Sequence, residues 1–131
     1  MPGNCEEAFK LYKKVFGGEY LSFLKYSEAP PESNLKEDEK DKIMHVSLPI
    51  GENSLLMGSD RPEHTGENIA GNNFSVLISP DSELQADDYF KGLSEGGSII
   101  MPMQKTFWGA YYGMLTDRFG INWMISYDYK S

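Results

Sequence analysis

Two stretches of this chain carry helical apolar spacing and stop at a Gly-Gly pair, and each is followed by three strand-like runs. In the first, Asn4-Cys5-Glu6-Glu7 fits a capping box, and Ala8, Phe9, Leu11, Tyr12, Val15 and Phe16 form the stripe that Gly17-Gly18 ends. In the second, Ser82-Glu83-Leu84-Gln85 is the box, Ala86, Tyr89, Phe90 and Leu93 the stripe, and Gly96-Gly97 the stop. Strands are predicted at 19–26, 43–50 and 54–59, and again at 98–104, 111–117 and 122–127. Gly51-Glu52-Asn53 and Gly120-Ile121-Asn122 join the last two strands of each half. A shared order of this kind predicts an α+β fold of tandem modules: 1–60, a Gly-, Pro- and Asn-rich linker at 61–72, and 73–131. The halves differ at one point. Residues 73–79 alternate as a strand before the second helix, whereas four residues before the first are too few to span a sheet at ~3.3 Å per residue. The predicted pattern is βαβββ twice, with the first strand of module 1 missing or truncated.

With 131 residues the chain holds one ordinary core, and its net charge of −8 argues against nucleic acid, whose affinity comes from clustered Lys and Arg. Nothing in it has the length and apolarity of a membrane span or the pattern of a signal peptide, so the expected setting is cytoplasmic, with no membrane partner. Cys5 is the single cysteine, which rules out an intrachain disulfide and a cysteine zinc cluster. Its place at a helix start raises the prospect of a reactive thiol, but no catalytic cysteine motif surrounds it. Residues 27–42 combine Pro30-Pro31 with a run of mixed charge and read as a solvated loop, with a lid as the alternative.

Both tryptophans fall in 107–127, around the turn Asp117-Arg118-Phe119-Gly120. Alternation along the last strand puts Trp123, Ile125 and Tyr127 on one face and Asn122, Met124 and Ser126 on the other. Asp117 is read as accepting backbone N–H bonds within its turn rather than as an acid or base. On 43–50, Met44, Val46 and Leu48 make one row and Ile43, His45 and Ser47 the other. A lone strand histidine is either a hydrogen-bonded structural residue or a general base, and His64 in the linker reads as solvated. Met44, Met57, Met101, Met103, Met114 and Met124 fill the core in the simplest reading; adaptable methionines beside aromatics also suit an apolar pocket.

The wording of several segments is more specific than their periodicity. Gly3-Asn4-Cys5-Glu6-Glu7-Ala8-Phe9 with Tyr12 and Phe16-Gly17-Gly18, His45-Val46-Ser47-Leu48, and Met57-Gly58-Ser59-Asp60 mark the first half. Gln104-Lys105-Thr106-Phe107-Trp108-Gly109, Gly113, Asp117-Arg118-Phe119-Gly120 and Trp123 mark the second. Together they resemble the vicinal oxygen chelate superfamily, the glyoxalase and bleomycin-resistance fold, and within it the PhnB-like branch labelled 3-demethylubiquinone-9 3-methyltransferase-like. The resemblance implies a single domain of two modules which, paired within the chain or across a dimer, curl their sheets around a concave pocket, and it implies a homodimer. It gives no support to methyl transfer, since no Gly-rich strand-to-helix loop is present to hold S-adenosylmethionine.

Enzymes of the superfamily hold a divalent metal with His, Glu or Gln on the outer strands of each module. Carried over here, the first-strand position is absent, and the others fall near Leu55, near Asn73 and on Met124. Leu and Met do not ligate hard metals, so no metal and no cofactor are expected. The implied pocket is lined by His45, Ser47, Leu55 and Met57 from the first module, and by Asn73, Met103, Trp108, Tyr112 and Met124 from the second. The expected function is metal-independent binding of a small apolar or aromatic molecule, mildly favouring cations. The alternative is a metal-dependent or His45-assisted enzyme of the same superfamily.

Overall fold

Residues 5–16 form the first helix, α1 (Cys5–Phe16), which buries Cys5, Ala8, Phe9, Leu11 and Tyr12 and turns Lys10 and Lys14 outward. In the computed structural model, residues 1–30, 36–62 and 66–129 are described; His64 lies outside them, as do 31–35 of the charged loop. The chain divides into two units, 1–69 and 70–131, and the division falls inside the 61–72 stretch.

The start of α1 departs from its sequence signature. Asn4 stands at the N-cap position, but its side chain makes no capping bond and its buried Oδ1 has no partner among the described residues. Asp60, 1% exposed, does the capping from across the unit. Its Oδ1 accepts from the N–H groups of Gly3 at 2.9 Å and Cys5 at 3.0 Å, and its Oδ2 from the N–H of Ile43 at 2.8 Å. A carboxylate is a stronger acceptor than an amide and complements the positive end of the helix, so it takes the site that Asn4 was expected to fill.

The first unit's sheet consists of β1 (Ser22–Lys25), β2 (Ile43–Ile50) and β3 (Ser54–Gly58), antiparallel in that order. The predicted strand at 19–26 is shorter because Tyr26–Glu28 turns as a 3-10 helix, with the Lys25 N–H donating to Glu28 Oε2. Among the described residues no strand precedes α1. Met1 supplies a stub of one: its ammonium donates to Ser59 O at 2.7 Å, and the Arg61 N–H donates to Met1 O at 2.6 Å. Bonds to residues on either side of Asp60 are the pattern of a parallel pair. Gly58 permits close packing, because a Cβ there would lie 2.6 Å from Phe9 Cε1.

The second unit contains β4 (Val76–Ile78), α2 (Glu83–Ser94), β5 (Ser98–Lys105), β6 (Ala110–Thr116) and β7 (Asn122–Asp128). Its sheet runs β4-β7-β6-β5, with β4 parallel to β7 and the other pairs antiparallel. The strand expected over 73–79 is confined to three residues. At α2 the capping reading holds: Ser82 Oγ accepts from the Gln85 N–H, and Gln85 Oε1 accepts from the Asp81 N–H. Ala86, Phe90 and Leu93 of α2 are buried, as are Leu115, Trp123 and Ile125 of the sheet. Both units therefore have an α+β architecture with one helix to one sheet.

Asp117 plays the turn role expected of it and one more. Its Oδ1 accepts from the N–H groups of Phe119 and Ile121, and its Oδ2 from Trp123 Nε1 at 2.9 Å. The closing turn and the largest core side chain are held by one carboxylate.

Truncating Asp60 leaves three backbone donors without their acceptor, each a loss of ~1 kcal/mol or more. Asp60→Ala is expected to lower the unfolding free energy by about 3 kcal/mol in urea titrations, and Asp60→Asn, which keeps one acceptor oxygen, by less.

Candidate functional site

With one helix per sheet, one face of each sheet is left without a helix, and strand register assigns the side chains to it. In the first unit, Val46 and Leu48 of β2 are fully buried on the face that α1 covers. The other face follows from the pairings Leu24 with His45, Ser22 and Met57 with Ser47, and Leu55 with Pro49. Met57 is 57% exposed there, and Leu24 and Leu55 are also exposed. Ser47 is buried and His45 half-buried. Among the described residues the His45 side chain makes no hydrogen bond or ion pair, while its backbone pairs with Leu24 in the sheet.

In the second unit, the register places Leu77, Met124, Met114 and Met101 side by side across all four strands. They occupy the face opposite Trp123 and Ile125, and the three methionines are half-buried. Tyr112 shares this face two residues along β6. Its ring meets Trp108 edge to face at 5.7 Å, and Trp108, 57% exposed, meets Phe107 at 5.1 Å. Asn73 is exposed and precedes β4 rather than lying on a strand.

Two expectations are corrected here. No methionine belongs to the fully buried core, which is built from Ile, Leu, Val, Phe, Tyr, Ala, Trp and Cys5; Met57, Met101, Met114 and Met124 line the helix-free faces instead. Met103, counted with the pocket, points the other way. Pairing slips between Met101 and Gln104 of β5, and the slip turns Met103 to the helix side, where its Sδ lies 2.5 Å from the position of a Cβ on Gly113, close to Phe90. A β-bulge of this kind leaves no mark in the alternation of a short apolar run. Met101 and Met114, by contrast, were legible as site residues: a hairpin that closes Thr116 onto Asn122 sets Met114 opposite Met124.

The donor set does not fit a divalent metal. Leu55, Asn73 and Met124 offer one amide among three side chains, and the described residues contain no group of three or more His, Cys, Asp or Glu arranged to hold an ion. Among the described residues no helix is long and apolar enough to cross a membrane.

Paired one-helix units, three closing antiparallel strands in each and an apolar face left open define a recognisable class. Residues 1–125 match the sequence profile of the Glyoxalase/Bleomycin resistance protein/Dioxygenase superfamily, and the chain belongs to that family. Among solved structures it is similar to protein PA1353 from Pseudomonas aeruginosa, with 38% identity, a TM-score of 0.84, and coverage of 97% of this chain and 91% of that one. A PhnB protein from Bacillus cereus has the same fold at 23% identity, with a TM-score of 0.75 and coverage of 97% and 93%. Protein YjdN of Escherichia coli K12 is 25% identical over 132 residues, which cover 95% of this chain and 88% of that protein. The PhnB-like likeness seen in the sequence motifs is borne out.

Cys5 is fully buried, and burial followed by the Asp60 carboxylate pushes its thiol up from 9.0 to about 12. The folded chain keeps this proton where the unfolded chain loses it. The resulting stability is complete below pH ~8.5 and is lost as pH rises toward 12. The shifted tyrosines start from 10.0, so between pH 9 and 10 the thiol dominates. Unfolding free energy is expected to fall across that interval, and Cys5→Ala to flatten the fall. A thiol reagent at pH 8 should modify Cys5 only at the rate of opening.

Proposed function

We propose that the chain binds a small apolar or aromatic molecule on its helix-free sheet faces and does so without a divalent metal or other cofactor. The observation that carries this reading is the line of Leu77, Met124, Met114 and Met101, flanked by Tyr112 and Trp108. Unbranched thioethers adapt to ligand shape and contact aromatic rings favourably, and the aromatic pair offers a flat surface. Leu24, Leu55 and Met57 in the first unit are of the same character. The donor set at the family's metal positions supports the metal-independent form of the reading. The net charge of −8 favours cationic members of such a ligand class. A second copy of the chain is the expected partner, for which exposed apolar side chains such as Phe107, Ile99 and Ile100 offer surface, and the cytoplasm the expected setting.

A thermal-shift panel of planar aromatic compounds, neutral and cationic, tests the reading. A ligand at 100 times its Kd adds about 2.7 kcal/mol of stability, a readily measured rise in Tm. Met114→Lys, at a half-buried position where a long side chain reaches solvent, is expected to abolish the rise while leaving the fold intact. Stoichiometric divalent metal in the dialysed protein, lost on His45→Ala, would overturn the metal-independent reading.

A further inference from the structure

The first unit has a second concavity, on the helix side of its sheet and apart from His45 and Met57. It is an open groove of about 570 Å³ between α1 and β1, with Lys10, Lys13 and Lys14 on one wall and Tyr20 and Phe23 on the other. We propose that this groove is a binding site for a small aromatic anion, a ring bearing a carboxylate or a phosphate.

Charge comes first. Four of the chain's 12 cationic residues, Lys10, Lys13, Lys14 and Lys25, gather around the groove although the chain carries a net −8. Two carboxylates face them. Glu6 lies 3.7 Å from Lys10 and 3.9 Å from Lys25, and Glu19 lies 3.2 Å from Lys13. Lys14 has no ion pair among the described residues, and it stands one turn from Lys10 on the same helix face, so both ammonium groups can converge on one anionic group. Complementing the negative end of α1 is a sufficient role for Lys13 and Lys14. It accounts neither for Lys10 and Lys25 nor for the aromatic wall.

That wall supplies the second half of the chemistry. The Tyr20 and Phe23 rings are 5.2 Å apart at an interplanar angle of 43°, and Lys13 Nζ sits 5.2 Å from the Tyr20 centroid. A ligand ring stacked on these side chains places its charged substituent toward the helix. The volume falls in the range of small-molecule sites.

The test is an amide chemical-shift titration with phenyl phosphate and benzoate as probes, and with inorganic phosphate and benzylamine as controls. Saturable shifts are expected at Gly18, Tyr20 and Phe23 with either aromatic anion, and not at His45 or Met57. Lys10→Gln/Lys14→Gln, at two exposed side chains, should weaken binding at least tenfold, as should 0.5 M salt in part. Shifts confined to the helix-free face, no saturable shift at all, or unchanged affinity in the double variant would overturn the proposal. Benzylamine binding as tightly as benzoate would overturn the anion requirement, and inorganic phosphate as tight as phenyl phosphate the aromatic one. Because the two faces report through different amides, failure here leaves the sheet-face reading standing, and the reverse also holds.

Discussion

One helix can cover only one face of a three- or four-stranded sheet, and the rest of this molecule follows from that constraint. Side chains alternate across a strand, so the covered face takes the tightly packing residues: Val46 and Leu48 with α1, and Leu115, Trp123 and Ile125 with α2. The residues between them have nowhere else to go. Large apolar side chains therefore line the opposite faces, among them Met57, Leu55 and Leu77, each exposed. An apolar face of this kind is costly to leave bare unless something binds to it.

Two buried carboxylates make the arrangement definite. Asp60 ties the start of α1, the first residue of β2 and the segment after β3 to a single side chain. Asp117 ties the closing turn to Trp123. Each joins a strand residue, Ile43 or Trp123, to backbone N–H groups of a helix start or a turn, so each works as a lock rather than as a source of net stability. A buried charge is tolerated when its oxygens are all hydrogen-bonded, and both residues meet that condition.

Much of this was legible in the chain. Helical spacing followed by a glycine stop located both helices, and strand 43–50 was recovered to the residue, because periodicity over eight or more residues is hard to mistake. The wording around Asp117 and Trp123 carried the family. Three things were not legible. The Asp60 cap depends on a contact between residues more than fifty apart, while the local Asn4-x-x-Glu7 pattern pointed to a nearer partner. The shift in β5 that redirects Met103 is a matter of register with β6, which one strand's sequence does not encode. The lysine groove needs α1 and β1 folded side by side, and in sequence its lysines look like ordinary solvated helix positions.

Opposite surface characters in one unit have a consequence for how ligands arrive. Out to the Debye length, about 8 Å at physiological ionic strength, an approaching anion meets the field of a chain with net charge −8 and is weakly repelled. At the groove it meets Lys10, Lys13 and Lys14 against Glu6 in the lining, with Lys25, paired to Glu6, and Glu19, paired to Lys13, at its rim. Added salt thus acts in opposite directions: it screens the distant repulsion, which speeds encounter, and it weakens the local attraction, which shortens residence. For a cation approaching the apolar sheet face the long-range term is favourable and the local one is dominated by burial, so salt slows encounter and scarcely changes residence. The sign of the salt effect on the association rate therefore separates the two ligand classes, independently of where on the molecule each is found.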